Sequence, residues 1–395
     1  MSTKAAQEYL REILKRYHDA SRKLKHVILD EFCTVCGYHR KYAIRLLNNA
    51  RRKKKPVHKR RRPGRRKKYD HPMLLAVLKC IWSGMNLPCA KRLKAGLALW
   101  VPLYASHFGI ELPSVVLELL ASISASTIDR LLAPQRGKQA KYGLATTKPG
   151  SLLKKHIPIK TNQWDEKRPG FLEADTVAHC GSSGAGMFVL TVNSVDIATG
   201  WTEQRAVWGK GERGVFVAIH SIELALPFPI LGFDCDNGSE FLNHHLWKYF
   251  TGRKRPVQFT RSRPYHKNDN AHIEGKNWTH VRQYLGYTRF EVQDLVPALN
   301  ELYTTEWRLL LNFFIPSVKL IEKSRQGSKI IKKYDQPKTP FQRLLEFPDI
   351  NPQTKRQLQA QFDSCDPFLL QEQIKAKLKH LFALAASQPL SKEKQ

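Results

Sequence analysis

Apolar residues recur every three to four positions at the start of the chain. In AAQEYLREILKRYHDA, the side chains of Leu10, Ile13, Leu14 and Tyr17 share one face of a helix. After Gly37 the stretch YHRKYAIRLLNNA follows, with Tyr42, Ile44, Leu46 and Leu47 apolar and His39, Arg40, Lys41 and Arg45 polar. Helix, glycine turn and basic helix outline a helix-turn-helix over residues 1–50. Residues 71–135 are helical again, from PMLLAVLKCIW to SISASTIDRLLA. Ser124 is placed to cap the last of these helices, with Thr127 and Arg130 on its exposed face.

From residue 171 the period shortens. FLEADTVAH alternates as a strand does, and MFVLTVNSVDIATG and WTEQRAVW predict two more strands joined by a turn. KGERGVFVAIHSIELAL reads as a helix, FPILGFDCD as a buried strand, SEFLNHHLWKYF as a helix and PVQFTRSR as a strand. NDNAHIEGKNWTHVRQYLG reads as a helix started by Asn or Asp. Three meander strands followed by alternating helix and strand predict a mixed sheet in an α/β domain over 166–295. Residues 296–395 predict a smaller α+β region: helix, a basic strand-and-turn segment (KSRQGSKIIKKYDQPKTP) and a final helix (QEQIKAKLKHLFALAAS).

Charge separates these blocks. The 395 residues carry 66 Lys and Arg against 34 Asp and Glu, a formal net charge of +32. Such an excess points to a polyanionic partner, above all nucleic acid. The linker 51–70 holds RRKKKPVHKRRRPGRRKK, with 13 Lys or Arg in 18 residues. It cannot bury a core, and its RRPGRR resembles arms that enter a narrow minor groove. A second basic linker, punctuated by Gly and Pro, spans 136–165. Residues 171–250 invert the balance, with 4 basic residues against 9 acidic ones. A protein that only coats DNA gains nothing from such an island, because carboxylates repel phosphate.

Seven scattered cysteines form no framework, which favours a reduced, cytoplasmic setting. Cys33 and Cys36 have His39 nearby but no second ligand pair, so they read as buried helix cysteines rather than a zinc site. The apolar run AGLALWVPLYA is too short to span a bilayer, and the polar start is not a signal peptide; no membrane association is expected.

Three acids stand at informative places. Asp175 lies in the first strand of the α/β block, Asp236 at the carboxyl end of the buried strand, and Glu274 in the first turns of a later helix. Functional groups in open α/β sheets gather at the carboxyl ends of strands. Converged carboxylates repel one another unless cations compensate, and Mg²⁺ or Mn²⁺ prefers such oxygen ligands. Two such ions suit in-line phosphoryl transfer. The neighbouring acids read otherwise: Glu173 and Asp234 share the faces of Asp175 and Asp236, Glu240 starts and caps the next helix, and Asp196 and Glu203 are structural.

LEADTVAHCG, DCDNGSEF, FTRSRPYHKNDNAHIEGKN and VRQYLGY resemble the catalytic core of bacterial insertion-sequence transposases of the retroviral-integrase type. Those are DDE enzymes with a ribonuclease-H-like fold. The match is specific over 165–290 and looser downstream, in NFFIPSVKL and YDQPKTPFQRLL. The 37 residues between Asp236 and Glu274 slightly exceed the family's usual spacing.

The resemblance implies an α/β ribonuclease-H-like mixed-sheet catalytic core with all-α helix-turn-helix DNA-binding domains before it. It makes Asp175, Asp236 and Glu274 the catalytic residues and the metal ligands, with two Mg²⁺ or Mn²⁺ ions. The implied reaction frees a 3′-OH at the ends of an element and joins it to target DNA, without nucleotide cofactor or covalent protein–DNA intermediate. The partners are then double-stranded DNA and further copies of the chain. DNA contacts are expected from Lys41 and Arg45, from Arg61, Arg62, Arg65 and Arg66, from Thr127 and Arg130, from Arg261, Arg263 and Lys267, and from Asn270 and Asn277. His179 and His266 are expected as proton carriers or DNA contacts. Two rival readings are a ribonuclease-H-like nuclease that cuts without joining, and a non-catalytic DNA-binding regulator derived from a transposase.

Overall fold

The structure, a computed structural model, describes residues 2–49, 68–136, 166–236, 238–262 and 271–387, and divides into two units, Met1–Lys68 and Tyr69–Gln395. The first unit holds three helices: α1 (Thr3–Asp19), α2 (Arg22–Cys36) and α3 (Arg40–Asn49). Ser2 and Ser21 cap the first two through their hydroxyls, and α2 stops at Gly37, whose φ of 71° only glycine adopts readily. The apolar stripes meet in a small core of Ile13, Tyr17, Ile28, Leu29, Phe32, Ala43 and Leu47. Cys33 and Cys36 are half-buried beside it as free thiols. Arg61, Arg62, Arg65 and Arg66 lie outside the described residues.

The second unit begins with four helices: α4 (Pro72–Gly84), α5 (Ala90–Phe108), α6 (Ser114–Ser122) and α7 (Ala125–Leu132). As expected, Ser124 caps α7, accepting from the Thr127 amide at 3.2 Å. Then come β1 (Phe171–Ala178), β2 (Val189–Asp196), β3 (Thr202–Trp208), α8 (Glu212–Ala225), β4 (Gly232–Cys235), α9 (His244–Thr251) and β5 (Gln258–Arg261). The strands form one sheet in the order β3-β2-β1-β4-β5. β1, β2 and β3 are an antiparallel meander, while β4 and β5 join the other edge of β1 in parallel. Two-residue periodicity produced the meander, and the helical crossovers α8 and α9 produced the parallel pairs. This order and these directions define the ribonuclease-H-like mixed sheet.

Beyond the sheet lie α10 (Ala271–Lys276), a π-helical stretch (Asn277–Arg282) and α11 (Gln283–Leu285), in continuous succession. α12 (Leu295–Leu302) and further π-helical turns follow, then the hairpin β6 (Leu320–Gln326) and β7 (Lys329–Tyr334), then α13 (Pro340–Leu345), α14 (Pro352–Asp363) and α15 (Pro367–Ala386).

Two expectations need correction. The helices of 71–135 are not a free-standing module. They share one apolar core with the sheet and the carboxyl-terminal helices. The Trp100 indole N–H donates to the Phe314 carbonyl at 3.0 Å, and its ring packs edge-on against Phe368 at 4.9 Å. A large aromatic on α5 drives this merger, because exposing it would forfeit its burial. The helix expected from Ser239 begins only at His244. Gly238 to Leu242 turn tightly instead, and Asn243 is the cap, accepting from the Leu246 amide at 2.9 Å.

Candidate active site

β1 and β4 run side by side, with Glu173 opposite Asp234 and Ala174 opposite Cys235. One residue further along, the register sets Asp175 beside Asp236, just past the end of β4. Residues two apart on a strand share a face, and neighbouring strands lie about 4.8 Å apart. Four carboxylates therefore occupy one face in two rows, Glu173 with Asp234 and Asp175 with Asp236.

The first row is structural. Glu173, only 2% exposed, accepts through Oε2 from the backbone N–H groups of His272 (3.1 Å) and Ile273 (3.0 Å). It thereby fixes the start of α10 against β1. Burial lifts its carboxyl to about 8, although the two amides pull it back. Asp234 is buried too, and its Oδ1 accepts from the Thr260 hydroxyl of β5 at 2.5 Å.

The second row lies within β1, at Asp175, and just past the carboxyl end of β4, at Asp236. Asp175 Oδ1 accepts from the Thr176 amide at 2.7 Å, and Oδ2 from Asn277 Nδ2 at 2.7 Å. Burial, then the Asp236 charge, pushes its carboxyl up to about 7. Asp236 Oδ1 accepts from the Gly238 amide at 2.9 Å. Burial raises it to about 6, with Glu240 adding to the rise and Lys210 opposing it.

Glu240 belongs to this cluster and caps no helix, contrary to expectation. It is 1% exposed, and its Oε1 accepts from the Thr176 hydroxyl at 3.1 Å. The turn at Gly238 aims it there. A Cβ on Gly238 would come within 2.6 Å of Glu240 Oε2 and 2.9 Å of Asp236 Oδ1. Glycine is the residue that lets the two carboxylates close over the turn.

Glu274 lies exposed in the first turn of α10, one turn before Asn277 on the same face. Its charge reaches Glu173. Among the described residues, no three of His, Cys, Asp and Glu form a group ready to hold a metal ion. The structure thus brings Asp175 and Asp236 together and leaves Glu274 on the flanking helix. An all-oxygen donor set of this kind fits Mg²⁺ or Mn²⁺.

Asn277 turns inward, where outward contact with DNA had been expected. Gln204 Nε2 donates to Asn193 Oδ1 (2.9 Å), Asn193 Nδ2 to Asn277 Oδ1 (2.8 Å), and Asn277 Nδ2 to Asp175 Oδ2 (2.7 Å). Asp175, Asn193 and Gln204 are register partners across β1, β2 and β3. The amides form a directed chain that ends on the carboxylate. Sequence reasoning missed Asn193, Gln204 and Thr176. Their one signal was a polar side chain at a buried position of a strand.

The remaining residues fall as follows. Lys41 and Arg45 are exposed on α3, with the Arg45 guanidinium 5.1 Å from the Tyr42 ring. Arg130 is exposed and donates to the half-buried Thr127 hydroxyl at 3.1 Å. Arg261 is buried at the end of β5, a poor place from which to meet DNA. His179 is also buried, stacked on Phe290 and hydrogen-bonded to Thr191, and burial drives its pKa down to about 3. That suits neither proton transfer nor DNA contact. Arg263, His266, Lys267 and Asn270 lie outside the described residues. Asp196 and Glu203 are structural, as expected: Asp196 holds Gly170 and Thr199, and Glu203 pairs with Arg205 and Arg308. No helix among the described residues is long and apolar enough to cross a membrane.

Sheet topology and the paired aspartates define the second unit as a ribonuclease-H-like core with an acidic site where β1 and β4 run side by side. By sequence the chain belongs to the family of the uncharacterized protein y4rM of Sinorhizobium fredii. The two are 36% identical over 342 residues, which span 85% of this chain and 94% of that protein. No protein-family model matches. Two solved structures overlap it weakly. One is the simian T-cell lymphotropic virus intasome in complex with PP2A regulatory subunit B56 gamma (TM-score 0.32, 12% identity, 63% of this chain and 75% of that one). The other is the catalytic core domain of BIV integrase (TM-score 0.27, 16% identity, 45% of this chain and 94% of that one).

Proposed function

We propose that the chain is a DNA strand-transfer enzyme, a DDE transposase that frees the 3′-OH ends of an element and joins them to target DNA. The observation that carries this reading is the pairing of Asp175, within β1, with Asp236, just past the end of the parallel strand β4. Burial there makes two adjacent negative charges costly without a compensating cation. Asp175 and Asp236 would hold Mg²⁺ or Mn²⁺, with Glu274 as the third ligand. Such ions, when bound, activate an attacking oxygen and stabilise a leaving oxygen.

The chain's own residues do the rest. Asn277 holds one oxygen of Asp175 and leaves the other to the Thr176 amide, which fixes the carboxylate's plane. Gly238 and its amide orient Asp236. Glu173 anchors α10, and so sets the height of Glu274 above the strand ends. The exposed cations Lys41, Arg45 and Arg130, with the basic segment 51–68, grip the phosphate backbone. The partners on this reading are double-stranded DNA and further copies of the chain on paired ends. A nuclease without joining shares the acidic site but leaves two basic helical regions without a role. A non-catalytic regulator would need no carboxylate pair.

The reading is tested by incubating the full-length protein with candidate element ends and target plasmid in Mg²⁺, then sequencing the product junctions. Joined ends at fixed positions support it. Cleavage without junctions favours the nuclease, and neither product favours the regulator.

A further inference from the structure

Behind the helix that carries Glu274, a cavity of about 320 Å³ opens between α10, the end of β2 and the β6–β7 hairpin. Its wall is cationic, with Arg92, Lys276 and Lys319 half-buried and Lys332 exposed at the rim. Asp196 is the one carboxylate among the described lining residues, and its oxygens already accept from Gly170 and from Thr199. Among the described residues, Lys276 hydrogen-bonds only to the His280 ring, at 3.2 Å, and Arg92 donates to the Pro316 carbonyl at 2.6 Å. Lys319 donates to the Ala198 carbonyl at 2.8 Å. Among the described residues, none of these four cations makes a salt bridge to a carboxylate.

Like charges converging in a half-buried cavity repel one another unless an anion joins them. From the convergence of a guanidinium and three ammonium groups on one cavity, we infer that it binds a phosphate group. A tetrahedral oxyanion offers enough acceptors for a guanidinium fork and several ammonium groups at once, which a single carboxylate does not.

The phosphate belongs either to the DNA backbone or to a free oxyanion. The inference itself does not depend on strand transfer, because inorganic phosphate is a sufficient probe. Calorimetric titration of the full-length protein with inorganic phosphate, at fixed ionic strength, should show saturable binding. Arg92→Gln and Lys276→Gln should each weaken it roughly tenfold, the worth of one charge-assisted hydrogen bond. Lys332 is exposed, so Lys332→Gln keeps the fold and must by itself weaken binding. Displacement of phosphate by duplex DNA assigns the site to the backbone, and simultaneous binding assigns it to a free oxyanion; both outcomes support the site. Absence of saturable binding, or equal affinity in the wild type and all folded variants, overturns it.

Discussion

Asn277 Nδ2 donates to Asp175 Oδ2 at 2.7 Å, joining residues 102 apart in the chain. The same amide accepts from Asn193, which accepts from Gln204. A carboxylate orientated by a relay across three strands and a helix is a site component held in advance of its ligand.

The first expectation concerns that relay. Asn277→Ala removes the donor to Asp175 and leaves the Asn193 amide without its acceptor. Strand-transfer turnover should fall by about tenfold or more, the worth of one charge-assisted hydrogen bond. DNA affinity should change little, as fluorescence anisotropy would measure. Unchanged turnover would show that the relay is only structural.

Glu173 offers a test of stability. Its Oε2 holds two backbone amides at the start of α10. Glu173→Ala orphans both and should lower unfolding free energy by about 1–2 kcal/mol in urea titration. Glu173→Gln keeps an acceptor oxygen and removes a buried carboxyl group, so it should restore most of the loss. Equal losses in both variants would contradict the capping role of the side-chain oxygen.

Gly238 tests the turn. Gly238→Ala places a methyl within 3 Å of both Asp236 Oδ1 and Glu240 Oε2. The carboxylates must shift, so catalysis should fall at least tenfold for a displacement of this kind. Since the turn is local, thermal unfolding should move little by comparison. Full activity in Gly238→Ala would remove Asp236 from the chemistry.

Acid dependence follows from His179. Its folded pKa of about 3 lies below the ordinary 6.5. A depressed basic group gives stability that is present above the unfolded pKa and lost as pH falls toward the folded one. His179→Gln should therefore lose ground to the wild type at pH 7, and the gap should narrow by about 2 kcal/mol at pH 5. Urea titrations at the two pH values measure it, and a constant gap would contradict the burial assignment.

Much of this fold was legible in the sequence, for reasons visible at particular residues. Strand alternation exposed β1, β2 and β3, because each strand repeats its side-chain face every two residues. Gly37 and Ser124 marked helix ends through φ and capping. Asp175 was singled out within the first strand of the sheet and Asp236 at the carboxyl end of the buried strand. Glu240 was misplaced, since an acid after a turn reads as a cap when the turn's path is unknown. Asn243, three residues on, was the true cap. Asn193 and Asn277 were beyond reach of sequence, because their roles come from cross-strand register and from a helix packed over the sheet. The 71–135 helices were taken for a separate module, because nothing local reveals that Trp100 packs on Phe368.

On the proposed reading, Asp175, Asp236 and Glu274 together run metal-dependent strand transfer, and each is required for it. The most direct measurement compares Mg²⁺-dependent joining by Asp175→Asn, Asp236→Asn, Glu274→Gln and Glu240→Gln, with DNA binding checked in each. Joining should vanish in the first three and persist, reduced, in Glu240→Gln. Full joining by any of the first three would contradict it, and abolition in Glu240→Gln beside an active Glu274→Gln would make Glu240 the third acid instead.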